Sequence, residues 1–477
     1  GNTQLGSLFA SNGRFIFSWT ENTSSQTSMV ATRTFSSSFD PTKYLIQNNH
    51  NGSVVDYKIV AAANGSVLTL WRQFHNGDTR LYTRVYENGA WADTLLLSND
   101  VFLLEYYAVS DGSGFLVSWV ENNQSIYSKL YIDSDWQLTI TTAIQPEYWG
   151  MRLASNGSGY AVVWVDNFSF LASTYNGAVW STWRYLGGIS NGDFELRSNQ
   201  DGYAFTWDEG NVYASVFTLA NGWVTRELVQ PDITSSGAKP TMAANSNNYM
   251  VAYLQDDAGV ENLYAGLYNG SSWGAQQNID LNSVSGKPIG YQLAATSTEF
   301  VSVWQQTDLQ EVNIYANTFT GANWQATPTK LEFLSGAAGL PMLSVNGNTS
   351  MSIWRQQNEK QSDPFNVYAN YYDGSTWQST PTLLEQGSED VSTDPQITAQ
   401  GNRFAAIWLQ KQAGINDVHI AIFNDNAWRD PIVVDSTQSL VIDPKVVSSS
   451  NTFSAAWKQV DPNSDPITVE LFTRLNF

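Results

Sequence analysis

The sequence has no cysteine, only 3 histidines, and 23 lysines and arginines against 44 aspartates and glutamates. The absence of cysteine excludes disulfides, thiolate metal sites and cysteine nucleophiles. The formal charge of -21 repels phosphate backbones and anionic lipid surfaces. Nucleic acids are therefore not expected as partners, and neither are membranes.

Long hydrophobic runs are also missing. No segment approaches the roughly 18 uncharged apolar residues of a membrane span, and no basic-then-apolar signal opens the chain. The scarcity of lysine and the abundance of Asn, Ser, Thr, Gly and Trp favour a bacterial protein that is secreted or displayed at the cell surface, with its signal sequence removed. His50, His75 and His419 have no partner at a recognised spacing, so we expect lone surface histidines, no metal site and no cofactor.

An internal repeat is the strongest feature of the sequence. An apolar run ending in an aromatic residue recurs about every 49 residues, a period typical of solenoids, propellers and arrays. The ten repeat aromatics are Trp19, Trp71, Trp119, Trp164, Trp207, Tyr253, Trp304, Trp354, Trp408 and Trp457.

Each copy reads as four short strands. A strand such as "MRLAS" leads through a polar turn into the tryptophan strand "YAVVW", and a third strand carries two aromatics four residues apart. The third strand ends in a turn such as "NGAVW", whose Asn-Gly pair predicts a type I′ hairpin to a fourth strand. The continuous apolar runs of the tryptophan strands indicate that both of their faces are covered. The sequence therefore predicts an all-β protein, a β-propeller of about ten four-stranded antiparallel blades.

The connectors between copies are alike in length, which favours one domain over residues 1–477. Two five-bladed propellers, 1–230 and 231–477, are the alternative, because copies three to five are shorter than the later ones. The last copy lacks an evident fourth strand, so either the N-terminal "GNTQL" completes the ring or an edge stays open.

These motifs resemble those of bacterial exported β-propeller repeat proteins. The resemblance rests on "AVVWVDN", on the Tyr-Ala of the third strand and on the Gly-Trp that follows it, and it covers nearly the whole chain. It implies the architecture and no activity. Departures are Tyr253 in place of tryptophan and the missing third-to-fourth-strand tryptophan in the first and last copies.

Two residues after each repeat aromatic, all ten copies carry a carboxylate or an amide. A period of two places this side chain on the same face as the aromatic, where we expect a structural hydrogen bond to a neighbouring blade. If the set has a catalytic role, the candidates are Glu121, Asp166, Asp208 and Glu209. A glycosidase would need such carboxylates about 5 to 9 Å apart.

Aromatics outside the repeat register are the candidates for ligand binding. Trp149 follows Glu147 and Tyr148 in a connector that should lie near the mouth of the channel, and Trp183 lies on the outer edge of a fourth strand. An exposed indole can stack on the apolar face of a sugar. We expect the repeat tryptophans to be core and the Asp-Pro pairs, such as Asp443-Pro444, to be turns at strand entries.

The expectation for function is an exported or cell-surface protein without catalytic activity, which recognises glycans or a surface protein through the upper face of the propeller. One alternative is a glycoside hydrolase or lyase that uses paired carboxylates. The other is a structural scaffold or adhesin that docks protein through an open last blade. Since propellers host enzymes and scaffolds alike, the fold does not choose among them.

Overall fold

A computed structural model describes residues 4–11, 14–22, 28–35, 44–46, 52–75, 77–98, 103, 105–121, 125–144, 148–189, 193–230, 237–281, 286–308, 311–339, 341–359, 363–385, 395–412, 415–434, 440–449, 452–460 and 468–475. Every regular element in these ranges is a β-strand. The described part of the chain has no helix that could cross a membrane. The prediction of an all-β protein is confirmed.

The strands form ten antiparallel sheets that follow one another along the chain, here called blades 1 to 10. Blade 1 is β1 (Gln4–Ser11), β2 (Arg14–Asn22), β3 (Ser28–Phe35) and β4 (Tyr44–Leu45); blade 2 is β5 (Val54–Ala61), β6 (Val67–His75), β7 (Asp78–Glu87), β8 (Ala90–Trp91) and β9 (Leu95–Ser98). Blade 3 is β10 (Tyr106–Ser110), β11 (Phe115–Glu121), β12 (Ser125–Ile132), β13 (Asp135–Trp136) and β14 (Ile140–Ile144); blade 4 is β15 (Tyr148–Ser155), β16 (Tyr160–Asp166), β17 (Ser169–Tyr175) and β18 (Arg184–Gly188). Blade 5 is β19 (Phe194–Asn199), β20 (Gly202–Asp208), β21 (Val212–Thr218), β22 (Gly222–Trp223) and β23 (Glu227–Leu228).

The second half of the chain repeats the arrangement. Blade 6 is β24 (Gly237–Ala244), β25 (Tyr249–Asp256), β26 (Glu261–Tyr268) and β27 (Gln277–Asn278); blade 7 is β28 (Ile289–Ala295), β29 (Phe300–Asp308), β30 (Glu311–Thr320), β31 (Asn323–Trp324) and β32 (Thr329–Lys330). Blade 8 is β33 (Met342–Asn346), β34 (Thr349–Gln357), β35 (Phe365–Tyr372) and β36 (Thr382–Leu383); blade 9 is β37 (Gln396–Gln400), β38 (Arg403–Gln412), β39 (Ile415–Asn424), β40 (Ala427–Trp428) and β41 (Ile432–Val433). Blade 10 is β42 (Leu440–Ser449), β43 (Thr452–Val460) and β44 (Thr468–Leu475).

Consecutive strands of a blade are hydrogen-bonded neighbours, which confirms the predicted blade. In blades 2, 3, 5, 7 and 9 the fourth strand is interrupted, and both pieces pair with the third strand. Blade 10 shows three strands within the described residues.

Two aromatic pairs explain the spacing of the repeat motif. In blade 3, Trp119 of the second strand stacks on Tyr127 of the third with 5.8 Å between ring centroids. Four residues on, Tyr131 packs edge-on against Trp136 of the fourth strand at 5.2 Å. Each pair joins residues directly opposite one another in the strand register, the arrangement in which cross-strand side chains stabilise a sheet.

The predicted hairpins between third and fourth strands are present, but the type I′ assignment is wrong for "NGAVW". Gly177 has a φ of 91° and Asn176 does not have a positive φ. Asn176 Oδ1 instead accepts hydrogen bonds from the backbone N–H groups of Ala178 and Val179, at 3.0 and 2.9 Å. This side-chain acceptor stabilises a longer loop. A true two-residue turn occurs at Asn88–Gly89, where the φ values are 53° and 88°.

The hydrophobic core lies between successive blades. Leu116 and Ile126 of blade 3 pack against Val162 and Trp164 of blade 4. Met351, Ile353, Val367 and Ala369 of blade 8 form the same kind of interface with Phe404, Ala406, Trp408, Ala421 and Phe423 of blade 9. Trp164 and Trp408 are fully buried, as the repeat tryptophans were expected to be.

Bulges interrupt several first strands near their start. The register shifts between Tyr148 and Met151, and again between Ile442 and Lys445. Asp443-Pro444 lies inside the second of these bulges, so the expectation that this pair is a turn at a strand entry is wrong. Proline has no N–H to donate, and a bulge tolerates that loss inside a strand.

The chain divides into two compact units. Unit 1 is residues 1–185 with 437–477, and unit 2 is residues 186–436. In unit 1 the first strands of neighbouring blades lie against each other, β42 beside β1, β1 beside β5, β5 beside β10 and β10 beside β15. In unit 2 the same holds for β19, β24, β28, β33 and β37. The one-domain and two-propeller interpretations both stay predictions.

Removing an indole that is buried between two blades should lower stability far more than removing an exposed indole. We expect Trp408→Ala to lower the free energy of unfolding by about 3–5 kcal/mol, because it empties a buried interface. Trp183→Ala, which removes a side chain that is 58% exposed, should change it by less than about 0.5 kcal/mol. Urea unfolding followed by circular dichroism measures both, and equal losses would contradict the interblade role.

Candidate functional site

In six copies, the residue two positions after the repeat tryptophan accepts the hydrogen bond of that indole. Trp119 Nε1 donates to Glu121 at 2.7 Å and Trp354 Nε1 donates to Gln356 at 2.9 Å. The same bond joins Trp71 to Gln73, Trp207 to Glu209, Trp304 to Gln306 and Trp408 to Gln410. The structural role expected for this position is confirmed, with the indole of the same repeat as the main partner.

The four candidate catalytic carboxylates have structural contacts. Besides its indole partner, Glu209 forms an ion pair with Arg226. Asp208 is buried and accepts a hydrogen bond from the Gly210 backbone at 2.7 Å, which stabilises a turn. Asp166 is one methylene shorter than Glu121, and the Trp164 indole that precedes it has no hydrogen-bond acceptor among the described atoms.

Glu121 and Asp166 belong to unit 1, whereas Asp208 and Glu209 belong to unit 2. Their catalytic role stays a prediction.

In unit 2, three buried acids extend these hydrogen bonds into chains of indole, glutamine and carboxylate, here called relays. Gln356 accepts from Trp354 and donates through Nε2 to Glu332 at 2.8 Å. Gln410 likewise bonds Glu385, and Gln306 approaches Asp280 at 3.5 Å. All three acids are almost fully buried. Burial raises the pKa of Glu332, and it raises the pKa of Glu385 to about 7.

The sequence analysis missed these acids, although a signal for them exists. Each one follows an apolar residue that comes directly after a fourth strand, as in "LE" at Leu331-Glu332 and Leu384-Glu385. Each precedes a copy that carries glutamine, which, unlike an ionised glutamate, can accept from an indole and donate to a carboxylate at the same time. In copies seven to nine the glutamine therefore matches a buried acid.

His419 is buried, so the expectation of a surface histidine is wrong for it. It occupies the aromatic position of the third strand in blade 9 and stacks on Trp408, with 5.8 Å between centroids. Burial lowers its pKa to about 4. His50 lies outside the described residues, as does the side chain of His75. In the described part of the chain no group of three or more acids and histidines converges as a metal site would require.

The structure describes the candidate ligand-binding residues to different extents. Glu147 lies outside the described residues, and of Tyr148 and Trp149 only the backbone is described, at the bulge of β15. Trp183 is 58% exposed immediately before β18, as expected for the outer edge of a blade. Its role in ligand binding stays a prediction.

An open cleft of about 580 Å³ lies between the outer strands of blades 3 and 4, both in unit 1. None of the described residues that line it is charged. The walls consist of the apolar and aromatic residues Leu130, Leu138, Ile140, Tyr175, Ala178, Val179 and Trp180 and the polar residues Ser128, Gln137, Thr141 and Ser181.

The cleft arises where two fourth strands depart from regular pairing. In blade 3 the chain leaves the sheet after Trp136 and rejoins it at Ile140. In blade 4 the loop at Asn176 holds Val179 outward, and Tyr175 packs on Trp180 with 5.6 Å between centroids. The two irregular edges leave a concave surface with an aromatic wall.

The rim of the cleft exposes further large hydrophobic side chains. Leu138 is 88% exposed and Val179 is 63% exposed. Trp183, immediately before β18, and Tyr185, within β18, follow along blade 4, and both are more than half exposed. Contiguous exposed apolar surface of this kind marks an interaction site more often than scattered hydrophobic residues do.

No protein-family model matches the chain, and no curated protein matches its sequence. Solved structures that resemble it include a eukaryotic initiation factor, with 11% identity, a TM-score of 0.48 and coverage of 90% of this chain and 96% of the other. A prolyl endopeptidase has 10% identity and a TM-score of 0.42 over 89% of this chain and 55% of the other. The β-propeller domain of the Trilobed protease from Pyrococcus furiosus has 9% identity and a TM-score of 0.34 over 69% and 96%.

These comparisons contradict the expected function. The similar structures include peptidases with propeller domains, and they do not favour a non-catalytic protein that recognises glycans or surface proteins. The glycosidase, lyase and adhesin alternatives are set aside with it. At these identities the likeness shows the propeller fold alone. The chain spans about half the length of the prolyl endopeptidase that it resembles.

Breaking one relay should destabilise unit 2. Gln356→Met removes the acceptor of the Trp354 indole and the donor to Glu332, and both groups stay buried. We expect a loss of about 1–3 kcal/mol, the cost of leaving buried polar groups unpaired. The exposed Gln200 provides the control, and Gln200→Met should change stability by less than about 0.5 kcal/mol. Urea unfolding measures both, and a neutral Gln356→Met would refute the relay.

The buried Glu385 should make stability depend on pH. Its pKa in the folded protein is raised to about 7, above its unfolded value, so its contribution is complete below about pH 4.3 and is lost as the pH rises through 7. Glu385→Gln should therefore match the wild type at pH 4 and exceed its melting temperature at pH 8. The exposed Glu359→Gln serves as control. Wild-type and Glu385→Gln curves that run parallel from pH 5 to 8 would contradict the assignment.

Proposed function

We propose that this chain is the propeller part of a peptide-processing protein, and that it binds an extended, uncharged peptide segment in the cleft between blades 3 and 4. The observation that supports this proposal is the cleft itself, an uncharged concave surface with an aromatic wall. That the protein processes peptides, and that it is exported as its composition suggests, are both parts of this proposal.

The dimensions and chemistry of the cleft suit a short peptide segment. Its volume of about 580 Å³ is within the range of sites that hold small ligands. Tyr175 and Trp180 offer rings for apolar side chains, and aromatic-lined grooves are a recurrent means of holding extended peptides. Gln137 and Thr141 can hydrogen-bond a peptide backbone.

The absence of charge in the cleft argues for an uncharged segment. A charged residue placed among Leu130, Ile140 and Trp180 would lose its hydration without gaining an ionic partner, which is costly. An apolar or neutral residue loses little and gains the burial of its surface. The occupant should therefore place its charged residues outside the cleft.

Net charge favours one kind of occupant. The formal charge of -21 repels a second copy of the chain and attracts a peptide with basic residues on either side of the bound segment. We therefore expect a different chain in the cleft, with an apolar centre and basic flanks.

Measuring the binding of this protein to a set of peptides tests the proposal. Fluorescence polarisation should find binders among peptides with an uncharged apolar centre and lysine flanks. Val179→Asp and Leu138→Asp should weaken that binding about tenfold or more, because each introduces a charge at the cleft. Both side chains are largely exposed, so both variants should fold.

Leu219→Asp is the matched control, since Leu219 is 74% exposed and lies in unit 2. It adds the same charge to the chain and should leave peptide binding unchanged. The proposal fails if no peptide binds below about 1 mM, or if all three variants bind as the wild type does.

A further inference from the structure

The junction between blades 6 and 7 is closed by one glutamine side chain. Gln277 lies on β27, the outer strand of blade 6, and its Oε1 accepts a hydrogen bond from the backbone N–H of Trp324 in blade 7 at 2.9 Å. Its Nε2 donates to Asn323 Oδ1 at 3.1 Å. Because a carboxamide is an acceptor and a donor at once, this side chain joins the outer edges of the two blades.

The junction between blades 3 and 4 has an apolar residue in the position of this glutamine. In the strand register, Gln277 pairs with the residue after Tyr264, and Ile140 pairs with the residue after Tyr127. The two tyrosines are equivalent, since each stacks on the repeat aromatic of its blade. Ile140 therefore occupies the position of Gln277.

The other end of the bridge is apolar as well. Val179 directly precedes Trp180, as Asn323 directly precedes Trp324, and each tryptophan packs on an aromatic residue of its third strand. Isoleucine and valine side chains cannot form the bridging hydrogen bonds. The junction stays open as the cleft of about 580 Å³, which Ile140 and Val179 both line.

The loss of the bridge leaves the backbone N–H of Trp180 facing the cleft. Tyr175 and Trp180 lie opposite one another, and the hydrogen bond beside them runs from the Ser181 N–H to the Thr174 carbonyl at 2.8 Å. In such a pair the N–H groups point away from the partner strand. Within the described residues the Trp180 N–H has no acceptor.

We propose that the occupant of the cleft places a main-chain carbonyl on the Trp180 N–H, where the Gln277 carboxamide lies at the junction of blades 6 and 7. This inference rests on the proposed binding of a peptide segment, and it adds the atom that recognises the segment. The carbonyl would accept one hydrogen bond of about 2.9 Å. The apolar side chains next to it would pack on Ile140 and Val179.

The valine favours a main-chain carbonyl over the side chain of a glutamine. A primary carboxamide carries two N–H donors beside its oxygen, and at the junction of blades 6 and 7 Asn323 accepts one of them. Val179 offers no acceptor, so a carboxamide bound in the same way would leave a donor unpaired, which is costly. A trans main-chain amide directs its N–H to the side opposite its oxygen, toward the open face of the cleft.

Water is the competing occupant. A water molecule can accept from an N–H that faces solvent. The corresponding N–H of Trp428 in blade 9 also has no acceptor in the described part of the chain, so the position alone does not define a site. If water is the only partner of Trp180, its N–H should not distinguish one carbonyl compound from another, and Ile140 and Val179 should not affect it.

Nuclear magnetic resonance of the protein with isotope-labelled tryptophan shows these backbone N–H groups in one spectrum, with Trp180→Phe assigning the Trp180 signal. Acetyl-leucine methylamide is the main-chain probe, and propionamide represents the glutamine side chain. The first should move the Trp180 N–H proton downfield with half-saturation at about 10 mM or below. Propionamide should need a concentration at least about tenfold higher. The N–H of Trp324, already bonded to Gln277, and that of Trp428 should not move.

Rebuilding the bridge should close the site. Ile140→Gln combined with Val179→Asn restores the polar pair of blades 6 and 7, and the response of Trp180 should weaken about tenfold or more. Thr382→Gln combined with Ala427→Asn is the matched control. It makes the same pair at the corresponding positions of blades 8 and 9 and should leave the response of Trp180 unchanged.

The reverse exchange should open a second site. Gln277→Ile combined with Asn323→Val frees the N–H of Trp324, which should then respond to acetyl-leucine methylamide. Circular dichroism confirms that each variant is folded.

The proposal is overturned if Trp180 responds no more than Trp324 and Trp428, if propionamide acts as strongly as acetyl-leucine methylamide, or if the rebuilt bridge leaves the response intact. Lysine-flanked peptides that bind without moving the Trp180 N–H overturn this proposal and leave the proposed function standing. A Trp180 response to acetyl-leucine methylamide in a protein that binds no peptide supports the carbonyl contact and overturns the proposed function.

Discussion

A tryptophan indole can be buried between two blades at low cost only where its N–H finds an acceptor. Six copies meet this constraint two residues later, where a residue such as Glu121 or Gln356 accepts from the indole of its own strand. The strand period of two places acceptor and indole on the same face. The carboxylate or amide two residues after the repeat aromatic therefore helps the blades to pack around a buried indole.

The choice between glutamate and glutamine has consequences beyond the blade. An ionised glutamate can only accept hydrogen bonds, whereas glutamine can also donate one, and in Trp354–Gln356–Glu332 it extends the hydrogen-bonded chain to a buried acid. A buried carboxylate is tolerable when an amide donates to it, although burial still raises its pKa. Unit 2 thus combines close packing with polar groups that are sensitive to pH.

The sequence predicts the blades well because the signals lie within one repeat: the apolar strand, the paired aromatics and the turn. The features that it does not predict are contacts between different repeats. The cleft needs two irregular fourth strands of neighbouring blades. His419 is hidden in a position that tyrosine fills elsewhere, which only its stacking on Trp408 reveals.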